Sequence, residues 1–111
     1  MNDLCYLSAL ELRDHFVRRT LSPVEVTAVL LDRIADVNPA LNAFVTVSAD
    51  LALKQARTAE AAYGGSEPIA PLAGIPMSLK DLVATRGIRT TRGSLLSADW
   101  IPDFDAPVAA R

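Results

Sequence analysis

Apolar residues recur at helical spacing near the start of the chain. After Ser8, apolar side chains at Leu12 and Phe16 stand among charged residues, which is typical of an amphipathic helix. Ser8 and Glu11 also have the capping-box spacing, in which each side chain satisfies an unpaired backbone N–H at the helix start. The pattern therefore predicts a short helix from Ser8 to about Thr20.

A second helix has the clearest start signal in the sequence. Ser22 and Glu25 repeat the capping box, and Pro23 occupies the first helical position, where its missing N–H costs nothing. An apolar stripe follows at Val26, Leu30, Ile34 and Val37. The Asn38-Pro39 pair predicts the helix end, because proline disfavours helical geometry in the residue before it. Two capped helices joined by a short turn predict a helical hairpin.

A short strand and a third helix are predicted after the hairpin. Residues 43–47, AFVTV, are β-prone and short, which is typical of one strand or an extended connection. Ser48 and Asp50 then open an alanine-rich helix that continues to about Ala62. The pair Gly64-Gly65 ends this helix.

The period of the pattern changes to two between Gly74 and Lys80. Its apolar face consists of Ile75, Met77 and Leu79, and its other face of Pro76, Ser78 and Lys80. Alternation of this kind predicts a strand with one buried face. A loop with two glycines follows, and then a helix start at Asp105 and Pro107 that is cut off after about one turn. We therefore expect the chain to be the front part of a longer protein.

Composition narrows the classes of function. The chain has 111 residues, 50% hydrophobic and 22% charged, with a formal charge of -2 and no run of one sign. It therefore predicts a globular protein without direct binding of nucleic acid or membrane, and by default a cytoplasmic one. With Cys5 as its single cysteine and His15 as its single histidine, the sequence predicts neither an internal disulfide nor a metal cluster.

Lys80 is the residue with the most open interpretation. From spacing alone, it is a solvated charge at the end of a strand, with Asp81 as a weak surface partner. A dyad with Ser78, which shares its strand face, is a poor alternative, because both side chains stand off the sheet and their contact would be strained.

Residues 71–94, PLAGIPMSLKDLVATRGIRTTRGS, resemble the lysine-bearing segment of the amidase signature family. The family motif runs Gly-Ile-Pro, three residues, Lys-Asp, then a glycine and a Thr-Thr-x-Gly-Ser loop. Residues 21–47 are similar to the hairpin and strand that open those enzymes, and residues 105–111 to the helix after the loop. Several spaced elements agree in order, so the resemblance is more specific than Gly-Ile-Pro-x-x-x-Lys alone.

The resemblance implies an α/β fold, the N-terminal part of the amidase-signature fold, in which the helical hairpin and further helices pack on a mixed sheet that is incomplete here. Residues 1–111 would be the N-terminal portion of a single amidase domain. Within it, residues 1–63 would hold the hairpin, the short strand and the third helix. Residues 72–111 would hold the lysine strand, the Thr/Gly/Ser loop and the start of a truncated helix.

The resemblance also implies roles for individual residues. Enzymes of this family use two serines and a lysine, with the lysine as base, and by position only Lys80 carries over as catalytic. Thr90, Thr91, Gly93 and Ser94 would lie near the active centre as candidates for binding substrate, although a structural turn explains each of them equally well. Asp81 is expected to be a structural hydrogen-bond acceptor. No cofactor or metal is implied.

The expected function is that of an amide-bond hydrolase acting on linear C–N bonds of a small-molecule amide. A lysine accepts a proton only when it is neutral, which requires a dry pocket that a chain of this size can hardly build, so we expect the 111 residues alone to be inactive. Association with the remainder of the enzyme, or self-association, is expected. Two alternatives stay open: a glutaminase subunit of a tRNA-dependent amidotransferase, and a non-catalytic adaptor that only associates with other chains.

Overall fold

A computed structural model describes residues 3–111, and the regular structure within this range is helical. Its α-helices are α1 (Ala9–Arg18), α2 (Pro23–Leu41), α3 (Ala49–Tyr63) and α4 (Pro107–Ala110), and two 3₁₀ helices span Asp3–Tyr6 and Leu95–Ser97. None of these helices combines the length and the apolar character needed to cross a membrane.

Both predicted capping boxes are confirmed. At the start of α1, the Glu11 N–H donates to Ser8 Oγ at 3.2 Å, and the Ser8 N–H donates to the Glu11 carboxylate at 2.7 Å. At the start of α2, Ser22 and Glu25 form the same pair of contacts, with proline at the first helical position. Two of the three long helices therefore begin where local hydrogen bonding favours a start.

The predicted end of α2 at Asn38 is wrong. The helix continues through Pro39 to Leu41 and ends at Asn42, whose φ of 50° is left-handed and whose N–H donates to the Asn38 carbonyl at 2.7 Å. Proline removes one hydrogen bond in this last turn, but the left-handed cap at Asn42 closes the turn through the Asn38 carbonyl, so the helix runs past the position where proline favours an end. The third helix is confirmed, with its end at Tyr63 immediately before the two glycines.

The chain divides into two compact units. The first comprises residues 3–42 together with Ala49–Pro76, so it contains α1, α2 and α3. Its core is formed by Leu12, Phe16 and Val26, against which Leu30, Tyr63 and Ile75 pack. In this unit α3 contacts both α1 and α2.

The second unit comprises Ala43–Ser48 and Met77–Arg111. Isolated backbone hydrogen bonds hold it together, among them Thr90 N–H to the Trp100 carbonyl at 2.9 Å and Ala106 N–H to the Ala84 carbonyl at 2.8 Å. Thr90 and Ala84 are both buried. The regular structure in this unit consists of α4 and the 3₁₀ helix Leu95–Ser97.

The predicted strands, and with them the mixed sheet, are not confirmed. Residues 43–47 and 75–80 are irregular, and no strand is present between residues 3 and 111. The face that alternation predicts to be buried is largely open, because Met77 is 70% and Leu79 37% exposed, and only Ile75 packs on a core. A strand exists only where a neighbouring strand accepts its backbone hydrogen bonds, and neither segment has one within the described range.

The predicted cap of the last helix is also wrong. The residue that precedes α4 as its cap is Ala106, which makes no side-chain cap hydrogen bond. The Asp105 carboxylate instead accepts the Arg86 N–H at 2.6 Å. Asp105 therefore ties two loop segments together rather than stabilising the helix start.

Candidate functional site

Lys80 lies exposed at the end of the irregular segment that begins at Ile75. Its carbonyl accepts the Val83 N–H at 2.9 Å, which closes a turn immediately after it. Its ammonium group makes no hydrogen bond or ion pair with any residue between 3 and 111. The backbone around Lys80 is thus held in a turn while its side chain has no fixed partner within the described part of the chain.

Asp81 fastens this turn to the Thr/Gly/Ser loop. Its carboxylate accepts the Thr91 N–H at 2.8 Å and the Thr91 hydroxyl, and its own carbonyl accepts the Arg92 N–H at 2.8 Å. Three hydrogen bonds therefore join the residue after Lys80 to two consecutive loop residues. The expectation that Asp81 is a structural acceptor is confirmed.

Hydrogen bonding keeps Asp81 ionised. The Thr91 hydroxyl lowers the pKa of the Asp81 carboxyl below its ordinary value, and the Thr91 N–H and the Arg89 charge lower this pKa further. A carboxylate that is stabilised in its charged form is a poor proton acceptor near neutral pH. Asp81 is consequently unsuited to serve as a second base beside Lys80.

The loop itself is a tight turn from Thr91 to Ser94. The Ser94 N–H donates to the Thr91 carbonyl at 3.0 Å, and the two central residues, Arg92 and Gly93, have φ values of 55° and 68°. Positive φ at both central positions is the signature of a type I′ turn, which glycine adopts without the cost that a Cβ brings. The Gly93 N–H is further held by the Thr91 hydroxyl at 3.3 Å.

Arg92 is a residue that sequence reasoning missed. Its guanidinium lies 4.7 Å from the centre of the Trp100 ring and donates to Ser97 Oγ at 2.9 Å. These two contacts stabilise a left-handed conformation that a non-glycine residue rarely adopts. The family motif allows any residue at this position. The one sequence signal for the positive φ of Arg92 was therefore its place next to a glycine in a turn.

The four loop residues that are candidates for binding substrate lie only partly in one hydrogen-bonded group. Thr90 and Thr91 are 3% and 7% exposed, and their hydroxyls bind the Ile88 carbonyl and the Asp81 carboxylate. Gly93 lies exposed, and Ser94 is half-buried and caps the 3₁₀ helix by accepting the Leu96 N–H at 3.2 Å. Asp81, Thr91 and Gly93 form one hydrogen-bonded group, whereas the Thr90 hydroxyl points to another partner.

Gly74, the first residue of the Gly-Ile-Pro motif, is seated against α2. Its φ is 78°, and a Cβ built on it would lie 2.8 Å from Pro23 Cγ and 3.3 Å from Ala59 Cβ. The backbone can approach the buried Pro23 this closely only because no side chain intervenes. The motif glycine is therefore explained by a close contact within the first unit.

Within residues 3–111, no group of metal-ligating side chains accompanies these residues, and the cavity described below lies elsewhere. Between residues 3 and 111, no three histidine, cysteine, aspartate or glutamate side chains gather closely enough to hold a metal ion. A cavity of about 290 Å³ in the first unit is lined by residues that include Phe16, Arg19 and Glu60, and no candidate residue lines it.

Comparison with known proteins places these features in a family. The family model for amidases matches residues 25–111. The chain is 45% identical over 109 residues to a glutamyl-tRNA(Gln) amidotransferase subunit of Moorella thermoacetica, a match that covers 98% of this chain and 22% of that protein. It is 46% identical over 111 residues to the protein of the same name from Acidothermus cellulolyticus, covering 100% of this chain and 22% of the relative. No solved structure matches the chain.

The family match covers most of this chain, whereas the chain covers only a small part of each relative. The chain spans about a fifth of the length of the curated relatives it matches. The family model covers most of the chain, including the segment with Lys80, Asp81 and the Thr91–Ser94 turn. The chain therefore belongs to the amidase signature family.

Proposed function

We propose that the protein hydrolyses amide C–N bonds by acyl transfer, with Lys80 as the base. Membership of the amidase family and the intact Gly-Ile-Pro-x-x-x-Lys-Asp motif support this proposal. Lys80 would deprotonate a bridging serine, which deprotonates a nucleophilic serine, and water would then release the acyl-enzyme. The family's two serines lie in a Gly/Ser-rich segment that the 111 residues do not contain, so activity would require the complete protein.

The observation that carries the proposal is the contrast between the Lys80 backbone and its side chain. The turn at Val83 and the three hydrogen bonds of Asp81 fix the peptide groups on the C-terminal side of Lys80. The ammonium has no partner among residues 3–111, so it stays available to serines supplied by another part of the protein. A general base needs both features, because it must be held in place and remain within reach of the proton it takes.

The rest of the domain would complete what these residues begin. The chain would be the N-terminal portion of a single amidase domain, and residues 43–47 and 75–80 would pair with strands outside it to form the mixed sheet. Thr90, Thr91, Gly93 and Ser94 would shape the substrate site, which the fastening of Thr91 to Asp81 supports. The reaction would need no cofactor and would take place in the cytoplasm.

A glutaminase subunit of a tRNA-dependent amidotransferase is the more specific candidate. The relatives from Moorella, Acidothermus and an Azoarcus species are all named as the same subunit of glutamyl-tRNA(Gln) amidotransferase. In such a complex, the protein would release ammonia from glutamine and would work together with partner subunits. Glutamine would then be the small-molecule amide, and the tRNA would be bound by another subunit.

Two substitutions of Lys80 in the complete protein test the proposed base. Lys80→Ala removes the group, and Lys80→Arg keeps a positive charge that does not deprotonate at neutral pH. We expect both to lower kcat by about a hundredfold or more, since a positioned base contributes ~10² to 10⁴ in rate. Lys54→Ala, which removes an exposed lysine from α3, is the matched control and should leave kcat unchanged.

The outcomes separate the candidate functions. Wild-type turnover in Lys80→Arg would contradict a role as base, and the absence of any amide hydrolysis by the complete protein would favour a non-catalytic adaptor. Hydrolysis of glutamine in preference to simple aliphatic amides, with stimulation by co-purified partner subunits, would support the glutaminase candidate. Equal turnover of many small amides by the protein alone would favour a free-standing amidase.

A further inference from the structure

Arg92 is held through its side chain as well as through its backbone. Its guanidinium lies over the Trp100 ring, 4.7 Å from the ring centre, and its Nη2 donates to Ser97 Oγ at 2.9 Å. No carboxylate between residues 3 and 111 pairs with this guanidinium. Its charge is therefore directed at the face of an indole ring, which attracts a cation more strongly than the other aromatic rings do.

Ser97 and Trp100, which we call the platform, are themselves fixed by backbone hydrogen bonds. The Trp100 carbonyl accepts the Thr90 N–H at 2.9 Å, and the Trp100 N–H donates to the Ser97 carbonyl at 3.1 Å. The Ser97 N–H donates to the Ser94 carbonyl at 3.0 Å, and Ser97 is 5% exposed. The two partners of the Arg92 side chain are thus bound to the chain on both sides of Arg92.

The left-handed backbone of Arg92 determines where its N–H group points. Arg92 has a φ of 55°, and its N–H donates to the Asp81 carbonyl at 2.8 Å. Because φ is the rotation about the N–Cα bond, another φ would turn this N–H relative to the residues that follow it. A residue with a Cβ rarely adopts a positive φ without support. We infer that the platform contacts supply this support and keep the N–H directed at Asp81.

We propose that Arg92 and Trp100 are positioning residues for Lys80. The inference rests on the proposed function, in which Lys80 is the base, and the three residues lie in the same unit. Asp81 follows Lys80 directly, so a hydrogen bond to the Asp81 carbonyl restrains the backbone from which the Lys80 side chain extends. A misplacement of about 1 Å at a reacting group can cost a hundredfold in rate, which is the effect that the platform limits.

Substitutions in the complete protein test this role. Arg92→Met keeps a long side chain but loses the charge, so the platform contacts disappear while the cost of the positive φ remains. We expect kcat to fall roughly tenfold with KM little changed, the signature of an interaction that matters only in the transition state. Trp100→Leu removes the other side of the contact and should lower kcat by a similar factor. The double variant should lose little more than either single variant, because both remove the same contact.

Arg92→Gly distinguishes the backbone conformation from the side chain. Glycine adopts a positive φ without the cost that a Cβ brings, so this variant loses the contact with Trp100 and still keeps the turn. Its kcat should stay within about threefold of the wild-type value, since glycine at both central positions favours a type I′ turn. A loss in Arg92→Gly as large as that in Arg92→Met would overturn the inference.

Hydrogen exchange at the residue 92 amide gives a readout that is independent of catalysis. Corrected for the intrinsic rate of each sequence, exchange should be roughly tenfold faster in Arg92→Met and close to wild type in Arg92→Gly. Wild-type exchange in Arg92→Met would show that the platform does not hold this N–H, and would contradict the inference.

Arg86→Met is the matched control. Arg86 is an exposed arginine of the same unit, and its side chain makes no hydrogen bond or ion pair with residues between 3 and 111. The contact that it does make comes from its N–H, which the substitution keeps. This variant should leave kcat and KM unchanged. All rates are taken per folded molecule, and if Trp100→Leu does not fold, the two Arg92 variants decide the question.

A double substitution separates failure of this inference from failure of the proposed function. In a Lys80→Ala background, Arg92→Met should have no further effect on the residual rate, because the group that it positions is gone. The same loss in both backgrounds, a loss in KM alone, or wild-type kcat in Arg92→Met would each refute the positioning role while Lys80→Ala remains impaired. Full activity in Lys80→Ala would instead contradict the proposed function, and the inference would fail with it.

Discussion

Replacing the motif glycine by alanine gives the sharpest test of how the Gly-Ile-Pro motif is packed in the first unit. In Gly74→Ala the new Cβ would meet Pro23 Cγ at 2.8 Å and Pro23 Cβ at 3.1 Å, at a residue whose φ is 78°. A left-handed conformation costs a residue with a Cβ about 1 to 2 kcal/mol, and overpacking a buried site costs about 1 to 3 kcal/mol more. We therefore expect the first unit to lose about 2 to 5 kcal/mol of its free energy of unfolding.

Gly87→Ala separates the two causes. Gly87 has nearly the same φ, 77°, but a Cβ built on it would have no atom within 4 Å. This control should therefore cost only the conformational part, about 1 to 2 kcal/mol. The excess in Gly74→Ala, about 1 to 3 kcal/mol, measures the close approach to Pro23.

Native-state hydrogen exchange is the suitable assay, because it reports the free energy of opening separately for each unit. The Val26 amide reports the first unit and the Thr90 amide the second. A double-mutant cycle with Pro23→Ala, which lacks the Cγ atom, should show a favourable coupling of at least about 0.5 kcal/mol. Equal costs for Gly74→Ala and Gly87→Ala, together with no coupling to Pro23, would refute the reasoning.

Two further predictions concern the anchor after Lys80 and the core of the first unit. Thr91→Ala should raise the pKa of the Asp81 carboxyl toward its ordinary value, as followed by NMR titration, whereas Thr90→Ala should leave this pKa unchanged because the Thr90 hydroxyl binds the Ile88 carbonyl. Since the folded pKa of Asp81 is the lower one, its contribution to stability is complete above about pH 4 and is lost as the pH falls through the folded value. Thr91→Ala should therefore weaken the acid dependence of opening at the Ala106 amide, and an unchanged dependence would contradict the assignment of the Thr91 hydroxyl. Phe16→Ala, at a side chain only 1% exposed, should cost the first unit about 3 to 5 kcal/mol in urea unfolding, while Val17→Ala, at 57% exposure, should cost well under 1 kcal/mol.

Short-range signals in the sequence predicted the helices well. Ser8 and Ser22 each mark a start because the cap and its partner lie within three residues, so the sequence holds the whole device. The role of Asp81 as a structural acceptor was likewise predictable, although its partner Thr91 was not named in advance. Local signals were not always sufficient, since the cap predicted at Asp105 was wrong because its carboxylate binds the Arg86 N–H instead.

Features that depend on distant residues were not predicted. In the sequence, Arg13 is one more charged residue on the polar side of α1. Nothing in the spacing predicts that it donates a hydrogen bond to the Pro71 carbonyl, 58 residues away. The strands failed for the same reason, since alternation indicates which side chains share a face but supplies no partner strand.

The anchor after Lys80 binds mainly peptide groups, and this has a consequence for sequence variation. The Asp81 carboxylate accepts the Thr91 N–H, and the Asp81 carbonyl accepts the Arg92 N–H. The side chain at position 92 takes no part in either hydrogen bond. Evolution or engineering can therefore alter this side chain while Asp81 stays bound to the loop, provided that the new residue adopts the left-handed backbone of Arg92.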